Sequence, residues 1–177
     1  QDRGAPGDTT GTARNLTGSG PASWRHDNTY AGIADLVGNV WEWNDGLKIV
    51  DGKIYMPADN NYALDETQWN NTGIVIDALG VLNTTKTGDY NSSLAWKSVT
   101  AKAGVTVPTS LKQALIAPSF DTTNPKGNLY ANNTGERLPF RGGHWYYGAY
   151  AGLFALSLGY ERSCVNPDLG FRPAYIG

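Results

Sequence analysis

Reactive side chains are scarce in this chain of 177 residues, which has one cysteine, Cys164, and two histidines, His26 and His144. A lone thiol makes no intrachain disulfide and no cysteine-rich metal centre, and two imidazoles fall short of a three-histidine iron site. Glu42 and Asp45 lie close enough in sequence for paired acid–base work or metal ligation, or for a structural role. Arg141 and Arg172 could serve as anion ligands or could brace loops through charge-assisted hydrogen bonds. Gly142, Gly143, Gly148 and Gly152 read as turn and close-packing positions, not as a phosphate cradle. The densest chemically useful set lies between Arg141 and Ala174, where Tyr146, Tyr147, Tyr150 and Tyr160 mix with Ser157, Gly159 and Asn166. Tyrosine supplies amphipathic contact area at low entropic cost and the small residues supply room and polar adaptability, a composition suited to binding. The plain alternative is that the tyrosines fill a β-rich core, but Phe154, Leu156 and Leu158 already supply an apolar face.

The elements that position these residues belong to one domain. Hydrophobic residues make up 40% and charged residues 17%, with 22 glycines, the profile of an ordered, loop-rich globule. A net charge of −2 without a Lys/Arg block argues against a nucleic-acid partner. No apolar run reaches the roughly 20 residues that span a bilayer, so no membrane insertion is expected. The chain opens on Gln1 without an initiator Met or signal pattern, which suggests a processed product or a fragment lacking an upstream domain. One cysteine leaves the redox compartment undetermined.

Residues 1–23, rich in Gly, Thr, Ser and Pro, read as an extended arm or linker. The spacing of Ile33, Leu36 and Val37 predicts a short helix over 30–39, containing Asp35 and stopped by Gly38. A hairpin ladder follows: Val40 to Trp43, a turn at Asn44-Asp45-Gly46, Leu47 to Val50, a turn at Asp51-Gly52, and Lys53 to Met56. Thr72 to Ile76 reads as a strand and Asp77 to Leu82 as a brief helix. A clearer helix runs from Thr109 to Ile116, opened by Pro108 and stopped by Pro118. Strands are expected at Leu138 to Arg141, Gly143 to Tyr147, Leu153 to Leu158 and Gly170 to Ala174, giving an α+β fold with much irregular loop.

Two motifs carry a resemblance: Gly32-Ile33-Ala34-Asp35-Leu36-Val37-Gly38-Asn39-Val40-Trp41-Glu42-Trp43, and Arg141-Gly142-Gly143 followed by Gly170-Phe171-Arg172-Pro173-Ala174. They resemble the formylglycine-generating-enzyme (sulfatase-modifying factor) branch of C-type-lectin-like folds over roughly Trp24 to Ala174, with an unmatched middle. The resemblance implies a C-type-lectin-like domain over 24–177. Its enzymes need paired cysteines or a histidine cluster, which this chain lacks, so it implies no catalysis here. In that family backbone carbonyls and the glutamate equivalent to Glu42 sometimes hold calcium. The resemblance thus allows a structural Ca²⁺ near Glu42; no other cofactor is expected.

The tail is more similar still to variable proteins of diversity-generating retroelements, including receptor-binding proteins of phage tails. Those systems rewrite template asparagine codons at their adenines. Aligned with template asparagines are His144, Tyr146, Tyr147, Tyr150, Ser157, Gly159, Tyr160, Cys164, Asn166, Pro167 and Asp168, with Val165 a further member. All are reachable from AAC or AAT by changes at adenine, and none is Lys, Glu, Gln, Met or Trp, which are unreachable. Glu161 is unreachable and stays outside the set, with its role open.

Fixed and variable positions interleave, His144 and Tyr146 around Trp145, Ser157 and Gly159 among Phe154, Leu156 and Leu158. A two-residue strand period then turns the apolar set inward and the variable set outward. The resemblance implies a hypervariable ligand-binding surface over about 141–174, displayed at a phage tail fibre tip or on a bacterial cell surface. Its partner would be a protein or glycan receptor on a host or target cell, with a homo-oligomer formed through an upstream region. The alternatives are a fixed carbohydrate-binding or enzyme-like member of the fold, or a structural virion subunit.

Overall fold

The computed structural model describes residues 14–117 and 127–173. In chain order its elements are β1 (Trp41–Trp43), β2 (Lys48–Val50), β3 (Lys53–Met56), β4 (Asn70–Ile76), β5 (Leu82–Asn83), β6 (Asn91–Ala95), α1 (Thr109–Gln113), β7 (Asn128–Asn132), β8 (Glu136–Gly142), β9 (Gly152–Tyr160) and β10 (Leu169–Phe171). The strands form one mixed sheet in the order β5-β4-β3-β2-β8-β9-β7-β6, with β1 and β10 attached beside β8. The architecture is α+β in the coarse sense, with strands dominating and helix confined to short pieces.

Strand β8 positions the rest. One edge pairs antiparallel with β9; the other pairs with β1 at Phe140 and Arg141 and with β2 at Glu136 and Arg137. β1 and β2 therefore run on along the same partner. The Asn44-Asp45-Gly46 segment interrupts one line of strand instead of reversing it, which corrects the expected hairpin ladder. Asn44 still donates its N–H to the Pro139 carbonyl across that interruption, so the register survives it. β2–β3 is a tight two-residue hairpin, where Asp51 and Gly52 both have left-handed backbone, the geometry that matches strand twist.

The expected helix over 30–39 is a loop. Asp35, Gly38 and Asn39 take φ of 55°, 78° and 59°, incompatible with a right-handed helix. The Asp35 carboxylate accepts the Gly18 N–H, and Asn39 exchanges hydrogen bonds with the Asn15 backbone. Ile33 and Val37 are left exposed, so their helical spacing marks no buried stripe. The brief helix expected at 77–82 is a single 3-10 turn over Ala78–Gly80 with Leu79 left-handed. α1 is shorter than expected because Leu115, at φ 58°, ends it in a Schellman arrangement with the Ile116 N–H on the Leu111 carbonyl; Pro118 lies outside the described residues. Gly143 to Tyr147 is no strand: Gly142 and Gly143 are left-handed and the chain turns onward through Tyr147. The last strand closes at Phe171, and Ala174 lies outside the described residues. β6 and β7 had no counterpart in the sequence reading.

Two cores result. The main one gathers Ile49, Ile54, Ile76, Leu82, Trp96, Leu111, Ile116, Leu129, Leu156 and Leu158, among others, on one face of the sheet. A smaller one on the other side of β8 and β9 consists of Trp41, Phe140 and Ala155, with Trp43, Tyr147, Cys164 and Leu169 packed against it. Of the expected arm, residues 1–13 lie outside the described residues. Residues 14–23 are joined to the domain through the Asn15–Asn39 and Gly18–Asp35 bonds and an Arg14 hydrogen bond to the Pro167 carbonyl.

Candidate ligand-binding face

The site is built on the second core. Across β8, Leu138 pairs with Tyr160 and Phe140 pairs with Ser157, so β9 carries one residue more than β8 between these pairs. Directly opposed residues share a face, and the extra residue shifts the parity of β9. Tyr160 therefore lands on the Phe140 side, its ring stacked on Phe140 with centroids 5.4 Å apart and planes at 18°. Simple alternation would have sent it to the side of Leu158.

From there the aromatic rings continue. Trp41 lies edge-on to Tyr147 at 5.1 Å, Tyr147 meets Tyr150 at 5.8 Å, and His144 sits 4.1 Å from Tyr146 and 4.9 Å from Tyr147. Burial raises the Tyr160 hydroxyl above its ordinary pKa, helped by the charges of Tyr130, Cys164, Asp168 and Tyr146. Burial does the same for Tyr147, with Tyr160, Tyr150 and Tyr130 adding to it. The ring contacts and the shared second core bring Tyr146, Tyr147, Tyr150 and Tyr160 to the same side of β8 and β9. Tyr130 is a member that sequence reasoning missed. It projects from β7, stacks 6.2 Å from Tyr160 and donates its hydroxyl to Asn91 Oδ1 at 2.8 Å.

The expected variable positions divide by exposure. Tyr146 (68%), Tyr150, Tyr160 (43%), Val165 (90%), Asn166 and Pro167 are exposed. Tyr147, Gly159, Cys164 and Asp168 are half-buried, Tyr147 and Cys164 because they roof the second core. Burial pushes the Cys164 thiol pKa up, with Asp168 contributing, which opposes thiolate chemistry. His144 (6%) and Ser157 (3%) are buried, so the expectation that the whole variable set projects outward is corrected at these two positions. On β9, Leu156 and Leu158 face the main core while Ala155 and Ser157 face the second core. The expected alternation is present over 155–158, but both faces of the strand are covered there.

Fixed charges brace the face. Arg172 clasps Glu42 through Nη2–Oε1 at 2.6 Å and Nε–Oε2 at 3.2 Å, and Nη2 also reaches the carbonyls of Ala34 and Asp35. A guanidinium thus engages the Glu42 carboxylate near which the resemblance allows a calcium ion. Arg141 donates Nη2 to the Ala114 carbonyl at 2.6 Å, and burial pushes its pKa down to about 10. Glu161 pairs with Arg137 at 2.8 Å, which gives this residue a structural role. Arg162 reaches Glu66 and Glu136, tying the end of β9 to the start of β8. Among the described residues, no group of three or more His, Cys, Asp and Glu comes together as a metal site.

Beside the face a cleft of about 560 Å³ opens between the 35–39 loop, Trp24 to His26, and the segment after His144. Among the described residues, no helix is long and apolar enough to cross a membrane. No known protein-family model matches the chain, and no curated protein matches it either.

Proposed function

We propose that this chain is a non-catalytic ligand-binding protein of C-type-lectin-like fold, with a C-terminal surface diversified by retroelement mutagenesis and used for receptor recognition on a phage tail or bacterial surface. The observation that carries this reading is the gathering of Tyr146, Tyr147, Tyr150 and Tyr160 with Cys164 and Asp168 on one side of a braced scaffold. Rigid aromatic anchors among small and polar neighbours give large contact area with little ordering entropy. The residues that hold this face up, Phe140, Trp41, Arg137 and Arg172, lie outside the positions aligned with template asparagines. Side chains can thus change on the surface while its support stays the same.

The deciding experiment is to sequence the DNA flanking the gene in its complete genome. The expected result is a near-copy of the 141–174 coding stretch with asparagine codons at the variable positions, beside a reverse transcriptase. A complete genome without that copy overturns the reading.

A further inference from the structure

Strand β6 ends the sheet, and among the described residues it pairs with β7 alone, from Asn91 to Ala95. The opposite end is closed by the chain itself: Leu82 of β5 donates its N–H to the Thr100 carbonyl, and its own carbonyl accepts the Lys102 N–H. Along β6 the parity of the ladder decides which groups are free. The Tyr90 carbonyl accepts the Asn133 N–H at 2.9 Å, directly across the register, so Tyr90, Ser92 and Leu94 turn their backbone bonds toward β7. Asn91, Ser93 and Ala95 therefore turn N–H and C=O outward, and among the described residues no hydrogen bond takes these groups up. Asn91 and Ser93 are exposed and Ala95 is half-buried.

Natural sheet edges are protected by charge, proline or a bulge, and β6 has none of these. The first charges beyond it are Asp89 and Lys97, equidistant from Ser93 and both exposed. Asp89 is 85% exposed while it accepts from Lys86 at 2.9 Å, and Lys97 has no ion-pair partner among the described residues.

We propose that two copies of this chain pair through β6, antiparallel about a two-fold axis at Ser93. In that register Ser93 exchanges backbone hydrogen bonds with its own copy, and Asn91 does so with Ala95 at both ends, so every outward group of the strand is matched. An axis at any other residue leaves at least one of the three without a strand partner. The same axis sets Asp89 of each copy toward Lys97 of the other. This match of a strand to itself in both backbone and charge selects a second copy over a foreign strand.

Ser93 lies opposite Tyr130, so its side chain is on the tyrosine face. The axis stands perpendicular to the sheet, and both tyrosine faces then look the same way, with the two β9 strands about 24 Å apart at ~4.8 Å per strand. A target with repeated sites would be held by two faces at once. That consequence rests on the receptor-binding reading; the pairing does not.

The test is sedimentation of the whole chain from about 5 to about 500 μM, because so short an interface is weak, with a dissociation constant on the order of 10–100 μM. Reversible dimer formation is expected. Ser93→Pro removes an outward donor and leaves the β7 ladder intact, so it should weaken the dimer at least about tenfold and move the thermal midpoint by less than about 2 °C. Asp89→Lys and Lys97→Asp each set like charges across the axis and should weaken pairing about threefold or more. An equimolar mixture of these two variants restores opposite charges at both ends and should dimerise more tightly than either alone. The charge variants lie outside the strand, so they read the register whether or not the proline variant folds. A chain that stays monomeric over this range, a dimer indifferent to a folded Ser93→Pro, or a mixture no tighter than its components overturns the proposal; the first result leaves the edge to a strand of another protein. No receptor enters these measurements, so their failure leaves the receptor-binding proposal standing, and the reverse also holds.

Discussion

Arg172 holds Glu42 with two prongs, at 2.6 and 3.2 Å, across 130 residues of sequence, and so locks the segment just after β10 to β1. Both side chains are mostly shielded from water, so the pair is worth more than a surface ion pair. Arg172→Ala is expected to lower unfolding stability by about 2 kcal/mol in urea titration. Arg172→Lys should recover less than half of that loss, because an ammonium cannot reproduce the fork. A loss below about 0.5 kcal/mol for the alanine variant would show that the clasp contributes nothing.

The same clasp bears on calcium. With the guanidinium on Glu42 and on the Ala34 and Asp35 carbonyls, a cation there would have to displace a fixed positive charge. Thermal unfolding in millimolar calcium and in excess chelator is expected to give midpoints within about 1 °C of each other. A midpoint that climbs with calcium concentration contradicts this.

Ser157 carries a buried hydroxyl without a partner, on the Ala155 side of β9. Removing an unsatisfied polar atom is neutral or stabilising, so Ser157→Ala should raise stability by up to about 1 kcal/mol. Ser157→Tyr should lower it by about 3 kcal/mol through overpacking against the second core. Val165→Tyr, at a 90% exposed position, should change it by less than about 0.5 kcal/mol. Comparable losses at 157 and 165 would refute the division of the variable set by burial.

Burial lowers the His144 pKa below its ordinary value, against a smaller opposing effect of Asp168. Between the folded and unfolded pKa values the unfolded chain binds more protons, so stability rises with pH there. This contribution is complete above about pH 6.5 and is lost as the pH falls from there toward the folded value. The difference in thermal midpoint between wild type and His144→Phe should shift in favour of the variant on acidification from pH 7.5 to pH 5. A difference independent of pH would mean that His144 titrates alike in both states.

How much of this was legible in the sequence depends on how local each determinant is. The β2–β3 hairpin was readable because Asp51-Gly52 sets its own turn, and the inward set of β9 was readable because a strand alternates. The loop at 30–39 was misread because its apolar spacing is helical, while the conformations of Asp35 and Asn39 are stabilised by bonds to Gly18 and Asn15. Tyr160 was placed on the right face for a reason the sequence does not contain. The extra residue in β9 exists only relative to the register of β8. Tyr130 was invisible because it reaches the face through the parallel pairing of β7 with β9, a contact between segments with no local signature.

Tyr130 leads to the most exacting prediction, because it limits a position that codon reachability alone leaves free. A side chain at Gly159 would place its first carbon 2.0 Å from Tyr130 Cε1, so the ring has to leave before anything larger than hydrogen can enter. Leaving means giving up the stack on Tyr160 and the hydrogen bond to Asn91. Gly159→Asn, the residue a template codon would specify, is therefore expected to destabilise by about 1–3 kcal/mol. The loss should shrink when Tyr130 is already alanine, since the obstruction is then gone. A double-mutant cycle measured by urea unfolding reads this directly, with a coupling of at least about 1 kcal/mol expected. Additive losses would show that Tyr130 and Gly159 do not constrain each other, and the face could then diversify at 159 without moving its fixed neighbour.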